Sequence, residues 1–177
     1  VSAIDSEGWV GAAPVQVLST APNAHCILTD PQNRFAFVPC LGGDRVMQLR
    51  FDANAGRLAP NAPAEALTHK GAGPRHLVFH PGGRFAYLAN ELDGTVVAFA
   101  YDAAAGTLRE MARASAVPPG FIGKPWVADI HATPDGRFLY VSERTSSTLA
   151  GFRIERAGGG LAAIGHWPTE TQPRGFA

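Results

Sequence analysis

HCILTDPQNRFAFVPCLGGDRVMQLRFDANAGRL (25–58) recurs twice along the chain, as RHLVFHPGGRFAYLANELDGTVVAFAYDAAAGTL (75–108) and ADIHATPDGRFLYVSERTSSTLAGFRIERAGGGL (128–161). The copies align on one shared proline, at Pro31, Pro81 and Pro134. These prolines lie about 50 residues apart, and a fixed period of this length is typical of repeat proteins. Residues in one column of the alignment are therefore expected to take equivalent places around an axis.

Each copy predicts short β-strands separated by turns. In the first copy the strands are predicted at 25–29, 34–40 and 45–51, with a weaker fourth strand near 64–70. The β-branched and aromatic runs, together with 20 glycines and 14 prolines, disfavour helices. Four antiparallel strands per repeat are typical of a β-propeller blade, whereas a β-sandwich has no reason to repeat its sequence. We therefore predict an all-β chain of four-stranded antiparallel propeller blades.

The repeat also predicts the blade boundaries. Three blades are expected at 25–70, 71–120 and 121–170, flanked by the end of a preceding blade (1–24, with an outer strand at 13–20) and the start of the next (171–177). About three and a half blades cannot close a ring and would leave sheet edges open. We expect a piece of a longer protein, roughly twice this length. The alternative is a half-propeller that closes by pairing with a second copy.

Composition excludes several classes of function. The formal net charge is zero, so no basic surface indicates nucleic-acid binding. No apolar run is long enough to predict a membrane-spanning helix, and we expect no membrane partner. Neither a CxxC nor an HExxH motif is present, and no metal or cofactor is expected. Cys26 and Cys40 are expected to stay reduced, as in a cytoplasmic protein, although a disulfide between neighbouring strands is conceivable.

Ionisable residues fall in columns that open on one rim of the predicted propeller. The first inner-strand column holds His25, Arg75, Ala128 and Arg174. The next column holds Cys26, His76, Asp129 and Gly175, and the turn after the second strand holds Leu41, Glu91 and Arg144. His131 lies deeper in the same inner strand as Asp129. Arginines gathered in one mouth repel each other unless an anion lies among them, so these columns predict an anion site.

A different column carries the same residue in every blade: Arg34, Arg84 and Arg137, each followed by a phenylalanine. A site is asymmetric, whereas a scaffold repeats. We therefore interpret these arginines as structural and exclude them from the site.

Five segments closely resemble the bacterial 6-phosphogluconolactonases of the propeller type: GAGPRHLVFHP (71–81), ANEL (89–92), KPWVADIHATPDGRFLY (124–140), SERT (142–145) and PTETQPRGF (168–176). The resemblance runs from about residue 22 to the end of the chain. It implies a seven-bladed propeller, of which this chain is the middle-to-late portion. It further implies metal-free, cytoplasmic hydrolysis of 6-phospho-D-glucono-1,5-lactone, a small anionic sugar lactone, in the oxidative pentose phosphate pathway. We expect the full-length protein to be a monomer.

The resemblance also implies roles for the mouth residues. The proposed active site of fungal relatives contains one His, two Arg and one Glu. His25, Arg75 and Glu91 match the His, the first Arg and the Glu. The second Arg matches Arg144 or Arg174, with Arg144 preferred as catalytic and Arg174 as substrate-binding. His76 and His131 are further candidates for substrate binding.

Lactone hydrolysis requires a base for water, donors for the oxyanion and a hold on the phosphate. Arginine suits the phosphate, because its planar guanidinium binds oxyanions in a bidentate manner. A glutamate among arginines is a weak base, which favours His25 as the base and Glu91 as its orienting partner. A lactone-forming isomerase and a non-catalytic binding scaffold are the alternative functions. The scaffold predicts an aromatic and apolar rim, which these columns lack.

Overall fold

A computed structural model describes all 177 residues and contains twelve strands, one 3-10 turn (Leu41–Gly43) and no α-helix. The first four strands are β1 (Leu28–Thr29), β2 (Phe35–Cys40), β3 (Arg45–Asp52) and β4 (Arg57–Leu67). The next four are β5 (Pro74–Phe79), β6 (Phe85–Asn90), β7 (Thr95–Asp102) and β8 (Thr107–Ser115). The last four are β9 (Val127–Ala132), β10 (Phe138–Glu143), β11 (Thr148–Ile154) and β12 (Leu161–Pro168).

The strands form three four-stranded antiparallel sheets, each made of consecutive strands in chain order. This arrangement confirms the predicted fold class. The turn after each shared proline places one residue in the left-handed region, Asn33 (φ 55°), Gly83 (φ 68°) and Gly136 (φ 67°). Asn and Gly adopt this conformation most readily, which explains why only these two residue types occupy the column.

The hydrophobic core lies between neighbouring sheets. Ten buried residues, among them Phe37, Leu88 and Phe99, fill the space between the first two sheets. Thirteen more, including Tyr87 and Phe152, fill the space between the second and third. The sheets therefore pack face to face, as successive blades of a propeller do. No helix in the structure is long and apolar enough to span a membrane.

The recurring arginines tie each sheet to the next. The guanidinium of Arg34 lies over the ring of Phe35 and donates a 2.6 Å hydrogen bond to the carbonyl of Ala103 in the β7–β8 loop. The ring of Phe35 packs against Gly106 so closely that a Cβ there would overlap it. Arg84 repeats the contact one sheet further on, donating to the carbonyl of Arg156 at 3.1 Å.

Arg137 stacks on Phe138 in the same way, but no following sheet lies within the chain to accept its hydrogen bond. Its side chain is 59% exposed and its one ionic neighbour is Asp135, at 3.9 Å. The structural interpretation of the recurring arginines therefore holds for two sheet junctions, while the third lacks its partner.

Three expectations about strands were wrong. No strand forms at 13–20; instead the side-chain amide of Gln16 bonds the backbone N–H and C=O of Leu58, both at 2.8 Å. A strand needs a hydrogen-bonded neighbour, and no segment of this chain supplies one there. The first inner strand was expected at 25–29 but covers only Leu28–Thr29; beyond it the carbonyl of Pro39 accepts a 2.9 Å bond from the N–H of His25, but Pro39 has no N–H to donate in return. Residues 171–177 likewise form no strand.

Candidate functional site

One polar cavity of about 370 Å³ gathers the ionisable residues of the predicted mouth. Its lining consists of His25, Arg75, Glu91, Trp126, Arg144, Gln172 and Arg174. A larger cavity of about 580 Å³ lies on the first sheet, but nine of its thirteen lining residues are hydrophobic and it contains no arginine, lysine or carboxylate side chain. The smaller cavity is the candidate site because its charged groups converge there.

Loops at one end of the sheets position the side chains that line this cavity. Asp44 accepts hydrogen bonds from the backbone N–H groups of Gly71 (2.7 Å) and Gly73 (3.1 Å), which fixes the loop that leads into Arg75. The N–H of Glu91 bonds the carbonyl of Gly73 at 2.7 Å. Arg75 opens the inner strand β5, and Glu91 follows β6, the strand beside it. Inner-strand starts and second-strand ends therefore meet on one rim, as the columns predicted.

Glu91 is the centre of the charge network. Its Oε2 accepts a hydrogen bond from Arg75 Nε at 2.7 Å and forms an ion pair with Arg144 Nη2 at 2.9 Å. Its Oε1 accepts a bond from the indole N–H of Trp126 at 3.1 Å. The side chains of Arg75 and Arg144 are only 2% and 8% exposed, so Glu91 supplies most of the counter-charge in a poorly solvated place. Burial lowers the pKa of Arg144, while the charge of Glu91 raises it.

Arg174 differs from the other two arginines. It lies exposed in the unpaired segment after β12, lines the cavity and makes no salt bridge or side-chain hydrogen bond within the chain. Gln172 beside it is anchored by a 3.1 Å bond from its N–H to Ser147 Oγ. With three arginines and one glutamate, the cavity carries a formal charge of +2 when His25 is neutral. Arg174 is thus the arginine with most capacity left for an anion.

His25 is the cavity's candidate base. Its ring Nδ1 is buried and has no hydrogen-bond partner in the chain. Burial, followed by the positive charge of Arg75, lowers the pKa of the His25 imidazole. The ring is therefore neutral at pH 7 and retains a lone pair to accept a proton. No hydrogen bond joins His25 to Glu91, so the expectation that Glu91 orients His25 was wrong; Glu91 orients Arg75 and Arg144 instead.

His76 and His131 do not line the cavity. They share one carboxylate: His76 Nδ1 lies 2.7 Å from Asp129 Oδ1, and His131 Nε2 lies 3.0 Å from Asp129 Oδ2. The ring of His76 packs edge-on against His25, with centroids 5.0 Å apart. Burial opposes ionisation of Asp129, but the bonds from both imidazoles outweigh it and lower the pKa of that carboxyl. This cluster lies beside the cavity, and a role of the two histidines in substrate binding stays a prediction.

Trp126 and Gln172 are the lining residues that the column analysis missed. Both lie two residues before the first inner-strand column, in one column with Asn23 and Gly73 that the comparison of the copies did not include. The segments that resemble the lactonases contain both residues.

Three face-to-face blades that end in a cationic cavity define a β-propeller protein with a polar site at its rim. The chain belongs to the family described as lactonase, 7-bladed beta-propeller, whose model matches residues 5–177. The family expected from the sequence is thereby confirmed.

Known proteins similar to this chain agree with that assignment. The 6-phosphogluconolactonases of Pectobacterium carotovorum and Sodalis glossinidius are 47% and 46% identical over 176 residues, which is 99% of this chain. The solved periplasmic gluconolactonase PpgL of Pseudomonas aeruginosa superimposes with a TM-score of 0.93 at 35% identity, over 99% of this chain and 52% of its own. The chain spans about half the length of these relatives, 52% and 53% of the two curated proteins.

Proposed function

We propose that the whole protein hydrolyses 6-phospho-D-glucono-1,5-lactone to 6-phosphogluconate, a step of the oxidative pentose phosphate pathway. The observation that carries the proposal is the cavity of net charge +2 with an unpaired arginine and an unpartnered histidine. An anionic lactone needs both features. Relatives that are 41–47% identical and named 6-phosphogluconolactonase support the choice of substrate.

In this proposal the arginines bind the substrate. Arg174 and the unpaired Nη1 of Arg144 hold the phosphate, because guanidinium groups bind phosphate through charge-assisted N–H hydrogen bonds. Arg75 is tied to Glu91 and to the carbonyl of Ala128, so its position is fixed before the substrate arrives. A fixed donor stabilises the oxyanion without reorganisation, which is how preorganised sites lower a barrier.

His25 performs the proton transfer. Its neutral imidazole takes a proton from a water molecule as the water oxygen attacks the lactone carbonyl carbon. The tetrahedral intermediate carries its negative charge toward Arg75. The bond from the carbonyl carbon to the ring oxygen then breaks, and the ring oxygen leaves as a hydroxyl with the proton that His25 returns. The reaction consumes one lactone and one water and needs no metal or redox partner; unchanged turnover after chelator treatment tests the expected absence of a metal.

The test is release of 6-phosphogluconate from freshly generated lactone by the whole protein, corrected for spontaneous hydrolysis. Arg174→Ala should raise KM about tenfold or more, since one charge-assisted contact to phosphate is lost. His25→Ala should lower kcat about 100-fold or more while binding is kept. Arg153→Ala removes an exposed arginine of β11 outside the cavity and serves as the control. Turnover equal to the spontaneous rate would refute the proposal.

An unphosphorylated lactone is the second candidate substrate, because the superimposed relative is a periplasmic gluconolactonase. The ratio of kcat/KM for the phosphorylated and plain lactones separates the two. We propose the phosphorylated substrate, and with it a cytoplasmic location and a monomeric whole protein. Preference for the plain lactone, unchanged in Arg174→Ala, would favour the second candidate. Cell fractionation and light scattering test the location and the monomer.

A further inference from the structure

Trp126 contacts two members of the charge network, Glu91 and Arg144. Its indole N–H donates to Glu91 Oε1 at 3.1 Å, and the guanidinium carbon of Arg144 lies 3.8 Å from its ring centroid. Its carbonyl accepts a 2.9 Å hydrogen bond from Arg144 Nε. Its own N–H is held at 2.6 Å by the fully buried carboxylate of Glu143. One residue of the β8–β9 loop is therefore bonded to Glu143, Arg144 and Glu91 at once.

These contacts connect two different sheets through one side chain. Glu91 follows a strand of the second sheet, whereas Arg144 follows a strand of the third. Oxygen Oε2 of Glu91 is occupied by two arginines, but Oε1 has Trp126 as its one donor. The indole thus fixes the rotation of the carboxylate that in turn fixes Arg75 and Arg144. Stacking on the indole face leaves Arg144 Nη1 without a partner in the chain and available to the cavity.

We propose that Trp126 is a positioning residue for the proposed lactonase reaction, acting through Glu91 and Arg144. The proposal rests on the proposed function for its kinetic consequences, but its geometric part concerns only the arrangement of the anion site. Two contributions can be separated: the stacking of the guanidinium on the ring, and the hydrogen bond from the indole N–H.

The kinetic test uses two substitutions in the whole protein. Trp126→Ala removes both contributions and should lower kcat/KM about 10- to 100-fold, since misplaced catalytic groups cost about that much. Trp126→Phe restores the ring and should recover most of this loss, leaving a deficit of about threefold. Trp167→Phe is the matched control, because Trp167 is 44% exposed on β12 and lies outside the cavity. Equal kcat/KM in Trp126→Ala and the control, after correction for folded fraction, would overturn the proposal.

A spectroscopic test does not depend on turnover. Replacing Trp9, Trp167 and every tryptophan of the whole protein outside these 177 residues by Phe leaves Trp126 as the single tryptophan. Titration with 6-phosphogluconate, and separately with inorganic phosphate, should change its emission saturably, because an anion drawn to Arg144 moves the guanidinium over the indole. The same titration followed by calorimetry should give matching affinities. A saturable calorimetric signal with no change in emission would refute the positioning role.

The two tests distinguish the failure of either idea. Absence of lactone hydrolysis together with a saturable emission change would remove the proposed reaction and leave Trp126 as the organiser of an anion site. Hydrolysis that Trp126→Ala leaves intact would keep the reaction and remove the positioning role. Trp126→Phe keeps the test decisive if Trp126→Ala fails to fold.

Discussion

Replacing Glu91 by Gln tests the charge network at its centre. Gln keeps the shape of the side chain but removes the negative charge that Arg75 and Arg144 share. Both arginines are more than nine-tenths buried, so each would lose its main counter-charge in a poorly solvated place. Breaking a buried ion pair by removing one partner costs roughly 3–5 kcal/mol. The cavity is open to water on one side, so we expect a loss near the lower end, about 3 kcal/mol.

Glu65→Gln is the matched control. Both carboxylate oxygens of Glu65 accept from Nη1 of Arg45, at 2.8 and 2.9 Å, but both side chains are 36% exposed. Exposed pairs of this kind contribute about 1 kcal/mol or less. Urea denaturation of the wild-type protein and both variants, compared at equal slope, gives the two losses directly. If Glu91→Gln costs no more than Glu65→Gln, the network does not depend on Glu91 and the reasoning fails.

Phosphate adds a second, independent outcome. Removing the Glu91 charge raises the formal charge of the cavity from +2 to +3, and an anion can then replace the missing counter-charge. Binding to the folded state stabilises it in proportion to the logarithm of ligand concentration over Kd. Phosphate should therefore raise the Tm of Glu91→Gln more than that of the wild-type protein. The Tm of Glu65→Gln should rise by the same amount as that of the wild-type protein. Equal shifts in all three would contradict an anion site at these arginines.

Three further predictions concern pH and the scaffold. Because the pKa of His25 is lowered from about 6.5, kcat/KM should stay constant as the pH falls to that value and should decline only below it. The unfolded chain takes up the proton first, so the free energy of unfolding should also fall below about pH 6.5. A decline of kcat/KM that begins above about pH 6.5 would contradict the assignment of His25 as the base. Gly159→Ala should lower the denaturation midpoint more than Gly83→Ala, because both have φ +68° but only a Cβ at Gly159 meets an aromatic ring, at 2.5 Å; equal midpoints would show that φ alone matters. Arg84→Ala should destabilise this chain more than Arg137→Ala, since only Arg84 bonds the next sheet, and the same denaturation series checks it.

The fold was predictable because three copies of the repeat carry the same pattern of strands and turns. Each copy has the same turn proline, the same left-handed Asn or Gly two residues later and the same arginine–phenylalanine pair. Local preference and long-range packing agree at these positions, which makes strand order readable from the sequence. The flanking segments carry no such agreement. At 13–20 a β-prone sequence found no neighbouring strand, and a glutamine side chain took up the backbone bonds of Leu58 instead.

The cavity was predictable in part for the same reason. Columns place side chains on a rim, so His25, Arg75, Glu91 and Arg144 could be grouped before any coordinates existed. Columns do not show which groups bond each other. Glu91 bonds two arginines and an indole rather than His25, because one guanidinium group approaches its carboxylate from its own sheet and the other from the third sheet. Trp126 was missed because the comparison of the copies began two residues after it, at Ala128.

Identity and divergence within the repeat therefore have separate physical causes. Arg34 and Arg84 are the same residue because each makes the same contact, a ring below and a loop carbonyl of the next sheet above. The residues in a rim column differ between copies because each sheet contributes a different side chain to the same cavity. If one rim column held the same arginine in every copy, the positive charge of the cavity would be uncompensated. Instead Glu91 of the second sheet lies between Arg75 of the second sheet and Arg144 of the third, and it holds both arginines in place. An asymmetric site on a repeated scaffold thus requires that the copies diverge at the rim and agree at the junctions between sheets.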